Sequence, residues 1–173
     1  TPFGYELAKT FGLAVIDPSP GLVPLTLQPK DLRVVEALSG IALPAAVSTE
    51  GHLFRESLLF THRGLSGPVI LQISNYWRPG RPITIDLFPD GDLLELLRSA
   101  RDRRPKALPA TVLAPSLTKR VSHALCAQWG FEDRMGTLGN ATLEEIAARF
   151  TGWRLTPSGT EGYRKAEVTL GGI

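Results

Sequence analysis

One segment constrains the fold more than any other part of this 173-residue chain: Leu58-Leu59-Phe60-Thr61-His62-Arg63-Gly64-Leu65-Ser66-Gly67-Pro68-Val69-Ile70-Leu71-Gln72-Ile73-Ser74. It reads as a strand, a sharp glycine-rich bend and a helix entered without a linker. Leu58 to Phe60 form a short apolar strand, and Gly64 permits a positive φ. Ser66 stands at the expected N-cap, its hydroxyl able to accept from the first helical turn. Pro68 falls within that turn, where a missing N–H costs nothing. Val69, Ile70 and Ile73 then present one face for burial. Such a corner offers oriented N–H groups beside small residues, a place for an anion, a polar substrate or a closely approaching backbone. A corner that only packs is the plainer account. A nucleophile elbow is excluded, because Gly64-Leu65-Ser66-Gly67 is followed by Pro68 where G-x-S-x-G needs glycine.

The remaining elements are short. Thr1 is expected to cap a first helix with Pro2 in its first turn, Leu7 and Phe11 on one face and Gly12 as its stop. Residues 13–30 hold two apolar runs, Leu13 to Ile16 and Leu22 to Leu27, broken by prolines as edge strands are. Leu32 to Leu38 add a helical turn. Gly40 to Thr49 is a strand in which Pro44 argues for an edge or a bulge, and Gly51 turns the chain into Phe54 to Thr61. Ile83, Ile85 and Leu87 alternate as a half-buried strand. From Pro89 the pattern becomes helical. Asp90 or Asp92 caps a helix ended by Pro105, Ser116 starts another ended by Gly130, and Thr142-Leu143-Glu144-Glu145 matches a capping box. Strand character returns in Trp153 to Thr156 and Tyr163 to Leu170, with Gly159–Gly162 as a turn between them. The expected fold is α+β: a small barrel of short, mostly antiparallel strands (residues 13–89 and 153–170) carrying an inserted helical subdomain (90–152), without a complete Rossmann fold.

Composition excludes some functions. No apolar run is long enough to span a bilayer, and a net charge of +2 argues against a nucleic-acid or anionic-membrane partner. A single cysteine, Cys126, rules out an internal disulfide framework and fits a reducing, cytoplasmic compartment. His52, His62 and His123 are far apart in sequence without carboxylates or thiols at ligand spacing, so no metal is expected. His62, beside the bend, could move a proton. Arg98, Arg101, Arg103 and Arg104 form the densest basic cluster. They also crowd the end of a helix whose start carries Asp90, Asp92 and Glu95, which is what a macrodipole selects. The chain opens on Thr1 and stops on Gly171-Gly172-Ile173, ends that read as cut from something longer.

Three stretches together carry a resemblance: Phe3-Gly4-Tyr5-Glu6-Leu7-Ala8-Lys9, Leu59 to Pro68, and Ala166-Glu167-Val168-Thr169-Leu170-Gly171-Gly172-Ile173. In this order they resemble the BaiN-type NAD(P)/FAD-dependent oxidoreductases, a bacterial flavoprotein family in which an insert domain interrupts a Rossmann-type FAD domain. The resemblance implies that residues 1–12 are a junction helix and 171–173 a re-entry junction to a flanking FAD-binding domain of the same chain. It implies Thr169, Gly171 and Gly172 near the flavin in that parent, and Gly64, Leu65, Ser66 and Gly67 facing an unidentified substrate. His62 becomes the catalytic candidate. No FAD is expected on this segment alone, since the G-x-G-x-x-G segment is missing. The function expected on this basis is that of a cap over the flavin of an FAD-dependent oxidoreductase. A nucleic-acid-binding barrel and a self-contained protein-interaction module are the rivals.

Overall fold

The computed structural model describes residues 2–173. The expected cap Thr1 lies outside them. Helix α1 (Phe3–Thr10) leads into β1 (Ile16–Gly21), β2 (Leu25–Leu27), α2 (Pro29–Ala37) and the hairpin β3 (Ala42–Thr49) and β4 (His52–Phe60). Strand β5 (Gly64–Ser66), α3 (Pro68–Ser74) and β6 (Ile83–Asp86) follow. Four helices come next: α4 (Leu93–Arg103), α5 (Pro109–Leu117), α6 (Lys119–Trp129) and α7 (Asn140–Thr151). The chain ends with β7 (Trp153–Leu155), β8 (Pro157–Thr160), a 3-10 turn (Gly162–Arg164) and β9 (Val168–Gly172).

Seven strands form one antiparallel sheet in the order β7-β6-β3-β4-β5-β2-β8. The two outermost strands, β7 and β8, are consecutive in the chain and separated by Thr156 alone. The sheet must therefore curl round on itself, although no ladder closes the β7–β8 seam. The fold is α+β, as expected. The four helices leave from β6 and return into β7, its hydrogen-bonded neighbour, so the helical lobe is inserted between two adjacent strands. Strands β1 and β9 form a separate two-stranded ribbon, in which Ile16 pairs with Gly172.

Several local expectations are corrected. Pro44 lies in a central strand, but β6 pairs only with Ala46 to Ser48, so at Pro44 the strand has a partner on one side alone. Ser66 does not cap α3. It belongs to β5, the N-cap is Gly67 at φ +89°, and no side chain caps that end. Ser116 lies inside α5, a helix hidden in the sequence by Pro109 and Pro115; α6 starts at Lys119 and is capped by Thr118, whose hydroxyl accepts from the Val121 N–H. The capping box fails as well, because α7 begins earlier, after Gly139, and leaves Thr142 within the helix. Gly159 is part of β8, paired with Thr26, and Tyr163 sits in the 3-10 turn, where neither had been expected. Asp92 caps α4 through Glu95 N–H at 3.0 Å, and Gly130 ends α6 in the left-handed conformation.

Sheet and helical lobe share one core. Leu25, Leu58, Phe60 and Ile85 meet α3's Val69, Ile70 and Ile73 on the sheet side, while Leu97, Leu113, Leu125 and Phe150 fill the lobe. Trp129 bridges them, edge-on to both Phe150 and Trp153 at 4.9 and 5.8 Å, and Trp153 reaches Phe60 at 6.3 Å.

Gly64 is the most exacting position. A Cβ there would overlap the Leu25 carbonyl oxygen and come 3.0 Å from Thr26 Cα, at a φ of +152°. Gly64→Ala should therefore cost about 3 kcal/mol, read as a lowered urea midpoint. Burial, helped by the nearby Glu132 carboxylate, pushes the Cys126 thiol up to about 12. The folded protein should resist Ellman's reagent at pH 8 and react only once unfolded.

Candidate functional site

Strand β4 ends at Phe60, and the turn to β5 is held by one hydroxyl. Thr61 Oγ1 donates to the Gly64 carbonyl at 3.1 Å and accepts from the N–H groups of Gly64 and Arg63 at 3.1 and 3.3 Å. The Thr61 N–H also donates to that carbonyl, at 2.9 Å. This closed loop of bonds leaves His62 and Arg63 exposed at the tip. Arg63 then reaches Glu161, 3.2 Å away, whose side chain is only 11% exposed. The guanidinium is thereby held in one orientation while most of it faces solvent.

His62, Arg63 and Ser66 line an open cleft of about 580 Å³, together with Glu161 and Lys165. Of the four residues expected to face substrate, Ser66 alone lines it. Gly64 and Leu65 are buried in the sheet. At Gly67 a Cβ would meet Ser57 O at 2.6 Å and Leu59 N at 2.9 Å, so this glycine serves close packing against β4. The start of α3 is thus turned onto a strand.

A second cleft, of about 670 Å³, is lined by Tyr5, Glu6 and Lys9 of α1 together with Tyr163 and Thr169. Residues 162–165 run between the two clefts, with Lys165 in the first and Tyr163 in the second. His62 and Thr169 therefore do not share a cavity. The glycine pair has a structural account: a Cβ on Gly171 would lie 2.8 Å from Asp17 O, and Gly172 faces the Tyr5 ring, whose Cε1 would be 3.6 Å from a Cβ. The space that a flavin cradle would need at Gly171 is filled by β1, so these residues do not form such a cradle by themselves.

Of the basic cluster, Arg98 pairs with Glu144 at 3.2 Å, and Arg101 donates to Asn140 Oδ1 at 2.8 Å. These two cations tie α4 to α7. Among the described residues no group of three or more His, Cys, Asp or Glu side chains could hold a metal ion. His52 stacks on Tyr76 at 3.8 Å and His123 is exposed on α6. No helix among the described residues is long and apolar enough to cross a membrane. The sequence reading missed Thr61, Glu161, Tyr163 and Lys165. Thr61 carried a local signal, a hydroxyl residue three positions before a glycine. The other three are brought to the clefts by the pairing of distant segments, β8 with β2 and β9 with β1.

Comparison with known proteins changes the functional expectation. The chain is 43% identical to the ribosomal RNA dihydrouridine synthase of Escherichia coli (strain K12) over 182 aligned residues, covering 100% of the chain and 44% of that protein. It is 41% identical over 175 residues to the ribosomal RNA dihydrouridine synthase of Haemophilus influenzae (strain ATCC 51907 / DSM 11121 / KW20 / Rd), covering 100% of the chain and 43% of the relative. The chain thus spans less than half the length of either. Names that specify RNA modification overturn the expected flavin-covering cap of an FAD-dependent oxidoreductase and the flavoprotein-insert description that went with it. They overturn equally the exclusion of nucleic acid, and the nucleic-acid-binding barrel set beside it fits better. The net charge misled because it sums over the chain, whereas a polyanion meets local patches. The description "HI0933-like protein barrel and H2TH domain" matches residues 19–168, and the chain belongs to that family.

Proposed function

We propose that this chain is the RNA-facing, barrel-and-helix part of a ribosomal RNA dihydrouridine synthase. The observation that carries the reading is full-chain likeness, at 43% and 41% identity, to two proteins of that name. Forming dihydrouridine adds a hydride and a proton across the C5=C6 bond of uracil. A flavin elsewhere in the whole protein is the cofactor class that would supply the hydride. FAD reduced by NAD(P)H, the version that the BaiN-type resemblance favours, is the finer form of this proposal. This segment alone would not cradle it at Gly171, where the space is filled by the backbone of Ile16 and Asp17.

This chain's own residues would hold the substrate. Arg63 and Lys165 both line one cleft, suited to the phosphates of a strand lying along it; Lys165 has no ion-pair partner among the described residues, while Glu161 orients the Arg63 guanidinium and offsets part of its charge. His62 at the cleft edge is the side chain able to hold or move a proton, and Ser66 adds a hydroxyl to the wall. Residues 1–12 and 171–173 are the proposed junctions to the rest of the protein, a reading supported by the packing of Tyr5 on Gly172. Residues 13–89 with 153–170, and 90–152, are the proposed sheet and helical subdomains. Action on ribosomal RNA favours the cytoplasm.

A strain lacking the gene should lose dihydrouridine from its ribosomal RNA, read by nucleoside mass spectrometry; an unchanged content overturns the reading. In the whole protein, Arg63→Ala with Lys165→Ala should weaken binding of deproteinised ribosomal RNA about tenfold at moderate salt. His62→Ala should slow dihydrouridine formation with RNA affinity intact. Thr61→Val should lower stability by about 1–2 kcal/mol in urea titrations, because Thr61 organises the turn that carries both side chains.

A further inference from the structure

A second set of cations lies on the helical lobe, on elements that contribute nothing to either cleft. Two segments meet there. Met135 N–H donates to the Ala107 carbonyl at 2.8 Å and Gly136 N–H to the Pro105 carbonyl at 2.9 Å. Gly136 packs so tightly that a Cβ would sit 2.7 Å from Pro105 Cβ. These contacts hold Arg134 alongside the stretch that contains Arg103, Arg104 and Lys106. All four side chains are exposed, and none has an ion-pair partner among the described residues.

Structural duties do not explain the group. Arg98 and Arg101 already tie α4 to α7, and Asp102 pairs with Arg101 at 3.5 Å. The α4 dipole accounts for Arg101 and Arg103 in its last turn. It accounts for neither Lys106, which follows Pro105, nor Arg134, which comes from another segment. Glu132 and Asp133 precede Arg134 but pair with none of the four. Gathering like charges this way gives the fold only repulsion, which a polyanion would relieve.

We propose that Arg103, Arg104, Lys106 and Arg134 form a second RNA-docking surface that grips the phosphate backbone of a structured region, while the cleft at His62 and Arg63 receives the strand to be modified. This rests on the ribosomal RNA reading above. Three guanidinium forks suit phosphate oxygens. These residues include no aromatic side chain on which a base could stack, so the surface reads backbone and shape, as duplex RNA requires.

The test uses the whole protein with two probes, deproteinised ribosomal RNA and a 30-base-pair RNA duplex of arbitrary sequence, the probe length being about that of a few helical turns. Combined Arg103→Ala, Arg104→Ala, Lys106→Ala and Arg134→Ala should weaken binding of both probes about tenfold or more. It should also flatten the slope of log affinity against log salt by about 3. For dihydrouridine formation the KM for RNA should rise with kcat unchanged, which a merely structural role would not produce. Replacing the three arginines by lysine should retain the salt slope, since the charge persists. Wild-type affinity and slope in the alanine variant overturn the proposal, and loss of the slope in the folded lysine variant overturns its electrostatic basis. If the cleft variant Arg63→Ala/Lys165→Ala still loses affinity in the first case, the cleft reading stands alone. If neither variant changes RNA binding, that reading falls as well.

Discussion

The fold depends on the approach of β5 to β2. Within the seven-stranded sheet, β5 is the single link between the β7-β6-β3-β4 half and the β2-β8 half. It is only three residues long, and it pairs Leu65 and Gly64 with Leu25 and Thr26 on one side and Leu65 and Ser66 with Phe60 and Leu59 on the other. A strand so short must bring both neighbours close, and Gly64 makes that possible by having no side chain to meet the Leu25 carbonyl. Everything downstream inherits this geometry. Gly67 turns the chain against β4, so α3 lies across the sheet with Val69, Ile70 and Ile73 fully buried. The far end of α3 then anchors the start of the fold. Ser74 Oγ accepts from Val23 N–H at 3.0 Å, and Asn75 Oδ1 accepts from Leu22 N–H at 2.8 Å. One stretch of chain thereby fixes the central strands, the plug against them and the entry into β2.

The same arrangement places the side chains of the candidate site. Because β5 must begin at Gly64, the turn from β4 has only Thr61, His62 and Arg63 to work with, and Thr61 spends its hydroxyl and N–H closing it. The two remaining side chains project by default. Their counterparts, Glu161 and Lys165, arrive because β8 pairs with the other edge of β2. The cleft is therefore a by-product of strand order: the loop before β5 and the segment after β8, the two strands that flank β2, both contribute to its lining. The helical lobe is held to this frame by backbone and aromatic contacts together. Leu87 N–H donates to the Phe150 carbonyl at 2.9 Å, and Trp129 packs edge-on to Trp153 across the join. A continuous core of this kind orients the lobe relative to the sheet, as a protein that contacts one ligand from both would need.

Much of the secondary structure was legible because its signals are local. The Asp92 cap, the left-handed Gly130 stop and the tight Glu50-Gly51 turn, with φ values of +46° and +81°, each depend on residues a few positions apart. The alternation of Ile83, Ile85 and Leu87 reports its buried face directly. The failures share a different cause. Ser66 and Thr142 have the right side chains for capping, yet tertiary pairing drew Ser66 into a strand and an earlier helix start overtook Thr142. Helix α5 was lost because Pro109 and Pro115 look like breakers. Pro109 sits at the first turn, where it is tolerated, and burial of Val112, Leu113 and Leu117 outweighs Pro115. Of the candidate site, His62 and Ser66 were found from the bend, whereas Glu161 and Lys165 lie about a hundred residues away and needed the sheet to place them.

Charge was the property read least well, and the reason is physical. At physiological ionic strength a charge is felt over roughly 8 Å, so a phosphate on the surface senses its immediate neighbours and little of a total of +2. What matters is which cations are already engaged. Arg55 is drawn to Asp90, Arg81 to Glu50, Arg98 to Glu144 and Arg149 to Glu145, each at 4 Å or less. Each such pair is locally close to neutral, so it says little about the charge that a phosphate meets elsewhere on the surface. Cations outside such pairs are not diluted by that cancellation. A chain can therefore be almost neutral overall and still present a surface that favours a polyanion, wherever unpaired cations gather on one face.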